Sequence, residues 1–209
     1  MAQSKRQQQA DARREQLLDV ALDLFAKQGF DATSTQQIAN AAGVTQGLVF
    51  HYFGSKEGLL SAVLSTRHSF TSGMADLLTE AETSPMPLGE VLRTLCTGWL
   101  DTLHHERSVT LLLAGLALTN PTFGTQLNEA IAATQRMLAT VLERRRDAGE
   151  VSEGADLGIA AHDILTPVIM FFLLHHTSLR WNTDAARFVD NHCAFWQRAL
   201  TRSVRPLGE

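Results

Sequence analysis

Cysteine is nearly absent from this 209-residue chain: Cys96 and Cys193 are the only two, 97 positions apart. Such spacing suggests neither a disulfide framework nor a zinc knuckle, and both thiols are expected to be buried and structural, with no thiol partner near them in sequence. A secretory leader is also missing, because Met1 to Ala10 is polar and has no apolar stretch. The longest strongly apolar run, Ile164 to Leu174, is about half of the ~20 residues that a bilayer span requires. Strand-like alternation, internal repeats and low-complexity tracts do not occur. Net positive charge is lacking too: 18 basic residues stand against 22 acidic ones. Together these absences point to a soluble, cytoplasmic, all-α protein with no membrane partner.

What is present is ordinary globular composition, 44% hydrophobic and 19% charged, in a chain long enough for one small module and one larger one. Its charge is unevenly placed. Residues 1–60 hold six basic and six acidic residues and are neutral, so the remainder carries the −4. Lys5, Arg6, Arg13 and Arg14 against Asp11 nevertheless make a basic leading arm.

Helical periodicity runs through the chain. Leu18, Ala21, Leu22 and Phe25 recur at i, i+3, i+4, i+7, and Gly29 supplies the left-handed stop, which predicts a first helix over about 8–28. Ser34-Thr35-Gln36-Gln37 reads as a capping box opening a short helix with Ile38, Ala39 and Ala42 facing inward. Gly43 ends it, and Thr45 is placed to cap another that begins at Gln46. Two short helices joined by so tight a glycine turn form a helix-turn-helix, whose second helix protrudes far enough to enter a DNA major groove. Val44, Val49 and Phe53 have the spacing of core residues. Gly54-Ser55 closes the second helix and caps a longer one running to about Glu80.

Thr83 to Pro87 is a breaker. Helices are then predicted over 87–104, 107–118, 121–147, 155–180 and 184–203, about nine in all. Leu88, Val91, Leu92, Leu95, Trp99 and Leu103 face inward on the first of these, and Leu127, Ile131, Thr134, Leu138, Val141 and Leu142 on the third. Asn120-Pro121 is an N-cap followed by proline at the first helical position, and Gly149 closes that helix. The last two helices are so apolar that a monomer would expose a large patch. Phe172, Phe188, His192, Phe195, Trp196 and Ala199 are the candidate homodimer interface.

From Gly43 to Leu60 the sequence GVTQGLVFHYFGSKEGLL resembles the TetR family of bacterial repressors. The shared pattern is a small-residue turn, a short recognition helix, an aromatic-x-aromatic-Phe segment and a Ser-Lys-x-x-Leu helix start, and the likeness covers about residues 10–60. It implies an N-terminal three-helix DNA-binding domain over 1–54 and a larger helical domain for ligand binding and dimerisation over 55–209. It also implies roles for single residues. Thr35 and Lys56 are phosphate contacts, as are His51 and Tyr52, and Gln36 faces the groove edge. Thr45, Gln46 and Gly47 form the exposed start of the reading helix, where Gln46 has the geometry to pair with adenine and Gly47 permits close approach. Leu48 and Phe50 depart from the family's usual small hydroxyl and tyrosine, so apolar contact with a thymine methyl takes the place of hydrogen bonds there.

The larger domain, by the same resemblance, encloses a pocket for a small organic effector, and Trp99, Leu103, Phe123, Met170, Phe171 and His175 are candidates for its lining. His104-His105-Glu106, His162-Asp163 and His175-His176 are not expected to hold a metal, since neighbours on a helix point ~100° apart. Neither a cofactor motif nor a nucleophile elbow, P-loop or HExxH is found. Three functions from different classes remain in view: a homodimeric repressor on palindromic double-stranded operator DNA, released by its effector; a helical small-molecule-binding protein with a vestigial helix-turn-helix; and an α-helical enzyme, for which no residue constellation speaks.

Overall fold

A computed structural model describes residues 5–66 and 69–201, with side chains described from Gln7 and, in the second stretch, from Gly73. Lys5 and Arg6 lie in the first helix, but their side chains fall outside the described ones, as do residues 1–4 and 202–209. Among the described residues there are ten helices and no strand: α1 Lys5–Gln28, α2 Thr35–Ala41, α3 Gln46–Phe53, α4 Lys56–Thr66, α5 Ser69–Thr83, α6 Leu88–His105, α7 Arg107–Thr119, α8 Pro121–Asp147, α9 Leu157–His175 and α10 Trp181–Thr201. The single helix expected from 55 to about 80 is described as α4 and α5, with residues 67–68 outside the description. Helix α9 stops at His175 rather than 180, and α10 starts three residues earlier than expected.

The chain divides into two compact units. One holds α1–α4 together with residues 108–125; the other holds α5, α6 and the chain from Gln126 onward. The first therefore includes α4 and most of α7 beside the three N-terminal helices. Its core is Leu17, Leu18, Ala21 and Phe25 from α1, Ile38, Ala39 and Ala42 from α2, Val49 from α3, Leu59 and Val63 from α4, and Leu112 and Leu116 from α7. Val44 and Phe53 pack against this cluster from its edge. Burying each large side chain contributes roughly 1.5–3 kcal/mol, which outweighs the weak propensity of helices as short as α2 and α3.

Local chemistry sets the ends of these helices. Ser34 Oγ accepts from the Gln37 amide at 3.2 Å while Gln37 Oε1 accepts from the Ser34 amide at 2.8 Å, completing the expected capping box. At Gly43, φ is +66°, and Val44 N–H donates to Ala39 O while Gly43 N–H donates to Asn40 O, which terminates α2 in a Schellman motif. Gly149 closes α8 in the same way, at φ +79°. Asn120 Oδ1 caps α8 by accepting from the Phe123 amide. Thr45 holds the N-cap position of α3, but its side chain makes no capping hydrogen bond, contrary to expectation.

In the second unit α6 packs against α5, α9 and α10, and all six of its expected inward residues are buried. On α8 the expected stripe divides: Leu138, Val141 and Leu142 are buried, whereas Leu127, Ile131 and Thr134 stay partly exposed. Pro87 offers α6 no side-chain cap. Instead Glu150 Oε2 accepts from the Leu88 amide at 3.0 Å, and the same carboxylate accepts from Arg145 at 2.8 Å. Arg145 is buried, and its guanidinium also donates to Ser84 O and Met86 O, so one side chain pins the breaker segment.

Both cysteines are buried. Cys96 on α6 and Cys193 on α10, far apart in sequence, are neighbours in the fold, and their interaction raises the Cys96 pKa well above the usual thiol range and lowers that of Cys193. Helix α9, with 19 residues and a window of mean hydropathy 1.9, is by length and composition alone long and apolar enough to cross a bilayer, a test that a core helix also passes. Here it buries Ala160, Ala161, Ile164, Leu165, Val168 and Phe172 and packs against α6 and α10.

Candidate functional site

The outward face of the helix-turn-helix is built by burial on its inward one. Val49 is fully buried, which fixes the rotation of α3 and leaves Thr45, Gly47, Phe50 and His51 exposed, with Gln46 and Leu48 partly so. Phe50, at 45% exposure, is an unusually bare aromatic beside the buried Val49. Nothing lies within 4 Å of where a Cβ on Gly47 would stand, and its φ is not positive. The protein's own packing therefore does not call for glycine at 47.

Gln46 Nε2 donates to Thr35 Oγ1 at 2.8 Å, tying the start of α3 to the start of α2. The bond uses one amide hydrogen and leaves Gln46 its carbonyl and a second N–H, the pair that adenine N6 and N7 require. Thr35 accepts in this bond, so its own hydroxyl hydrogen can point outward at the N-terminus of α2, where partial positive charge gathers. Gln36, exposed beside it, donates to Asn40 Oδ1 at 2.8 Å. Tyr52 is partly buried; its hydroxyl donates to Ala10 O at 3.4 Å, and its ring meets His51 edge-on at 5.5 Å. An open notch between α1 and α3 is lined by Gln9, Arg13, Gln16, Leu48 and Tyr52.

Lys56 is differently placed from what the resemblance implies. Its ammonium donates to Phe30 O at 2.9 Å, Thr33 O at 3.1 Å and Asp31 O at 3.4 Å, and lies 4.3 Å from the Phe30 ring centre. All three of its hydrogens have internal acceptors, which makes Lys56 a strut for the α1–α2 turn rather than an outward-pointing cation. Sequence reasoning also missed Gln16, whose amide reaches Ala42 O at the helix-turn-helix joint. It missed Gly58 as well: a Cβ there would stand 2.1 Å from Phe53 O, so only glycine lets α4 start against the end of α3.

In the second unit, a narrow apolar slot of about 20 Å³ is lined by Trp99 of α6, Leu127, Ala130, Ile131 and Thr134 of α8, and Leu165 and Ile169 of α9. Of the six candidates for a ligand lining, only Trp99 is there. Leu103 is wholly in the core, Phe123 packs on the cluster of the other unit, and Met170 is half exposed. Phe171 and His175 belong instead to a stacked ladder: Phe171 lies 4.4 Å from both His175 and Phe188, and Phe188 lies 5.3 Å from His192. Aromatic residues at helical spacing look the same in sequence whether they pack on each other or on a ligand.

The dimer candidates divide as well. Phe172 is fully buried and offers no surface, because its ring packs edge-on against Trp181. Phe188 and His192 are partly covered by the ladder, and His192 Nε2 lies 2.9 Å from Ile164 O; a carbonyl only accepts, so that nitrogen carries a proton. Phe195, Trp196 and Ala199 retain exposed surface on α10, as do Ile159, Met170 and Leu174 on one side of α9. Four of the histidines weighed as ligands have local partners: His105, His175 and His176 face main-chain carbonyls, and His162 faces Gln135, whereas the buried His104 Nδ1 has no hydrogen-bond partner among the described residues. Among the described residues no three metal-ligating side chains gather.

Fold and site together define an all-helical helix-turn-helix protein with a second helical unit. Residues 17–63 match the family model for bacterial regulatory proteins of the tetR family, and residues 87–202 match that for the tetracyclin repressor-like C-terminal domain. The chain belongs to the tetR family of regulators. Among its relatives, the HTH-type transcriptional regulator AcrR of Shigella flexneri is 37% identical over 109 residues, 52% of this chain and 50% of that protein. The uncharacterized HTH-type transcriptional regulator YvkB of Bacillus subtilis is 27% identical over 165 residues, 78% of this chain and 82% of that one. The match to the first of these spans about half that relative's length. A solved structure of the ketosteroid transcriptional regulator KstR2 of Mycobacterium tuberculosis superposes with a TM-score of 0.71 at 20% identity, covering 91% of this chain and 96% of that chain, a likeness of fold.

Proposed function

We propose that this chain is a cytoplasmic, ligand-responsive transcriptional repressor, not an enzyme, that binds a palindromic operator as a homodimer and is released by a small organic effector. The observation that carries the reading is the outer face of α3. Gly47 stands where nothing inside the protein needs a glycine, beside a bare Phe50 and an exposed His51, which is what close approach of a groove wall demands. Residues 1–54 would bind DNA and residues 55–209 would bind effector and partner. Thr35, Gln36, Thr45, Gln46, Gly47, Leu48, Phe50, His51 and Tyr52 are the contact set; Lys56 supports it from beneath through the turn at Phe30 to Thr33. A homodimer formed through the exposed parts of α9 and α10 would present two reading helices to half-sites ~34 Å apart.

The test is a mobility shift on the DNA upstream of the chain's own gene. Gln46→Ala is expected to weaken the specific complex by about 10-fold or more, as the loss of one bidentate base contact does, and Gly47→Ala to weaken it without changing the melting temperature. If both variants bind as the parent does, the contact set is wrong; if no fragment is bound above the non-specific level, the helix-turn-helix is vestigial and the chain is a small-molecule-binding protein.

A further inference from the structure

A protein that binds duplex DNA needs cations that meet phosphate, because neutralising the backbone supplies much of the affinity. Residues 1–60 carry no net charge, so where each cation stands matters more than how many there are. Lys56, to which the resemblance gives the phosphate, has its ammonium on three main-chain carbonyls of the α1–α2 turn. Among the other described lysines and arginines of this unit, Lys27 pairs with Asp23 at 2.7 Å, and Arg14 pairs with Glu15 at 3.7 Å and lies over the Phe53 ring. Arg13 differs. Its guanidinium donates to the neutral side chain of Gln16 at 2.9 Å, and among the described residues no carboxylate forms an ion pair with it.

The rotation of α3 says where Arg13 stands. Successive residues of a helix point about 100° apart. With the buried Val49 marking the inward direction, Gly47 and His51 lie opposite it, Gln46 and Phe50 to one side, and Leu48 and Tyr52 to the other. Gln46 bonds to Thr35 at the start of α2, so the first flank faces α2. Leu48 and Tyr52 line the notch together with Gln9, Arg13 and Gln16 of α1, so the second flank faces Arg13. A helix of about 10–12 Å diameter fills a major groove ~12 Å wide, and its two flanks then face the two sugar–phosphate walls. Thr35 stands at one wall and Arg13 at the other. Gln16 holds the guanidinium in place: its amide donates to Ala42 O at the helix-turn-helix joint at 3.3 Å while its carbonyl accepts from Arg13.

We propose that Arg13 is the phosphate-binding cation of the DNA-reading unit, its guanidinium taking a backbone phosphate of the strand that runs along the notch between α1 and α3. A guanidinium has N–H groups enough to keep Gln16 and still offer a parallel pair to two phosphate oxygens. Such a contact fixes register and carries no base identity, so Arg13 adds affinity for every duplex and discrimination between none. The inference rests on the proposal that α3 enters a major groove.

Fluorescence anisotropy of the intact chain on two labelled duplexes tests it: the fragment upstream of its own gene, and a shuffled duplex of the same length and composition, each across a salt series. Arg13→Gln is expected to make the slope of log affinity against log salt shallower by about 0.9 for each bound subunit, which at about 0.1 M salt is a loss of roughly 8-fold per subunit. The loss should be the same on both duplexes, and Arg13→Lys, which keeps the charge, should keep the slope. Arg13 is exposed, so the melting temperature should stay as in the parent, which checks that the fold is kept. An unchanged slope in Arg13→Gln, with the upstream fragment still preferred, overturns the inference and leaves the repressor reading standing. A changed preference between the duplexes overturns it too, since Arg13 would then be reading bases. A slope that depends on Arg13 without any preference for the upstream fragment keeps the phosphate contact and removes the repressor reading, and binding to neither duplex overturns both.

Discussion

Replacing Lys56 by methionine keeps most of the side-chain volume and removes the ammonium, and the structure sets what this should cost. Two of the three hydrogen bonds, at 2.9 and 3.1 Å, have good length, and the third, at 3.4 Å, is weak. Bonds made by a charged donor contribute about 1.5–3 kcal/mol each, but the turn they hold is open to water, which can solvate the freed carbonyls of Phe30 and Thr33. The methionine sulfur keeps part of the contact with the Phe30 ring. A net loss of about 2 kcal/mol follows, or a fall of roughly 4–8 °C in melting temperature for a chain of this size. Operator affinity measured against salt separates this strut from a phosphate contact. With the ammonium turned inward, the slope of log affinity against log salt should stay as in the parent while affinity falls uniformly; a lost phosphate contact would make the slope shallower by about 0.9. An unchanged melting temperature together with a shallower slope would refute the reasoning.

Other consequences follow from the same coordinates. Arg145→Met leaves the Glu150 carboxylate and two main-chain carbonyls without their donor, and urea unfolding should show a loss of about 3 kcal/mol, the lower end for a broken buried pair because Glu150 is partly exposed. Gly58→Ala drives a methyl into Phe53 O, so it should lower the melting temperature where Gly47→Ala does not, and equal stability of the two would contradict the packing. Desolvation, ahead of repulsion from His105 and Arg107, holds the His104 pKa below its ordinary value, so the fold favours the neutral ring. Stability from this source is present above about pH 6.5 and is lost as pH falls through the lower folded value; Trp181, stacked on His104 at 4.3 Å, should report it by fluorescence, and His104→Phe should remove it. A thiol reagent should label neither cysteine in the native chain and both in strong denaturant; rapid native labelling of Cys193 would show that the α6–α10 contact opens.

Much of the helix-turn-helix was legible because its signals are local. A capping box, a Schellman glycine and an asparagine cap act within five residues, so Ser34, Gly43, Gly149 and Asn120 take the places that their own neighbours dictate. Thr45 failed as a side-chain cap even though residue type and position were right, since an N-cap needs only the extended backbone, and Leu48 N–H is already satisfied by Thr45 O. The lining of the slot between α6, α8 and α9 was poorly legible. The period of three to four that marks Trp99 and Ile131 as inward-facing marks Leu103 and Phe172 equally, and periodicity cannot tell a filled face from a slot.

By itself the sequence determined the all-helical class, the helix ends set by local caps, the glycine turn at 43 and the outward set on α3, because each depends on bonds between residues close along the chain or on the rotation that one buried valine imposes. Only the tertiary structure decided that Lys56 points into the turn 23 to 26 residues before it, that Arg145 pins a segment some 60 residues back, that Cys96 meets Cys193, and that half of one face of α8 is only partly covered. Those partners are chosen by how helices lie against one another, and the same apolar period is compatible with many such arrangements.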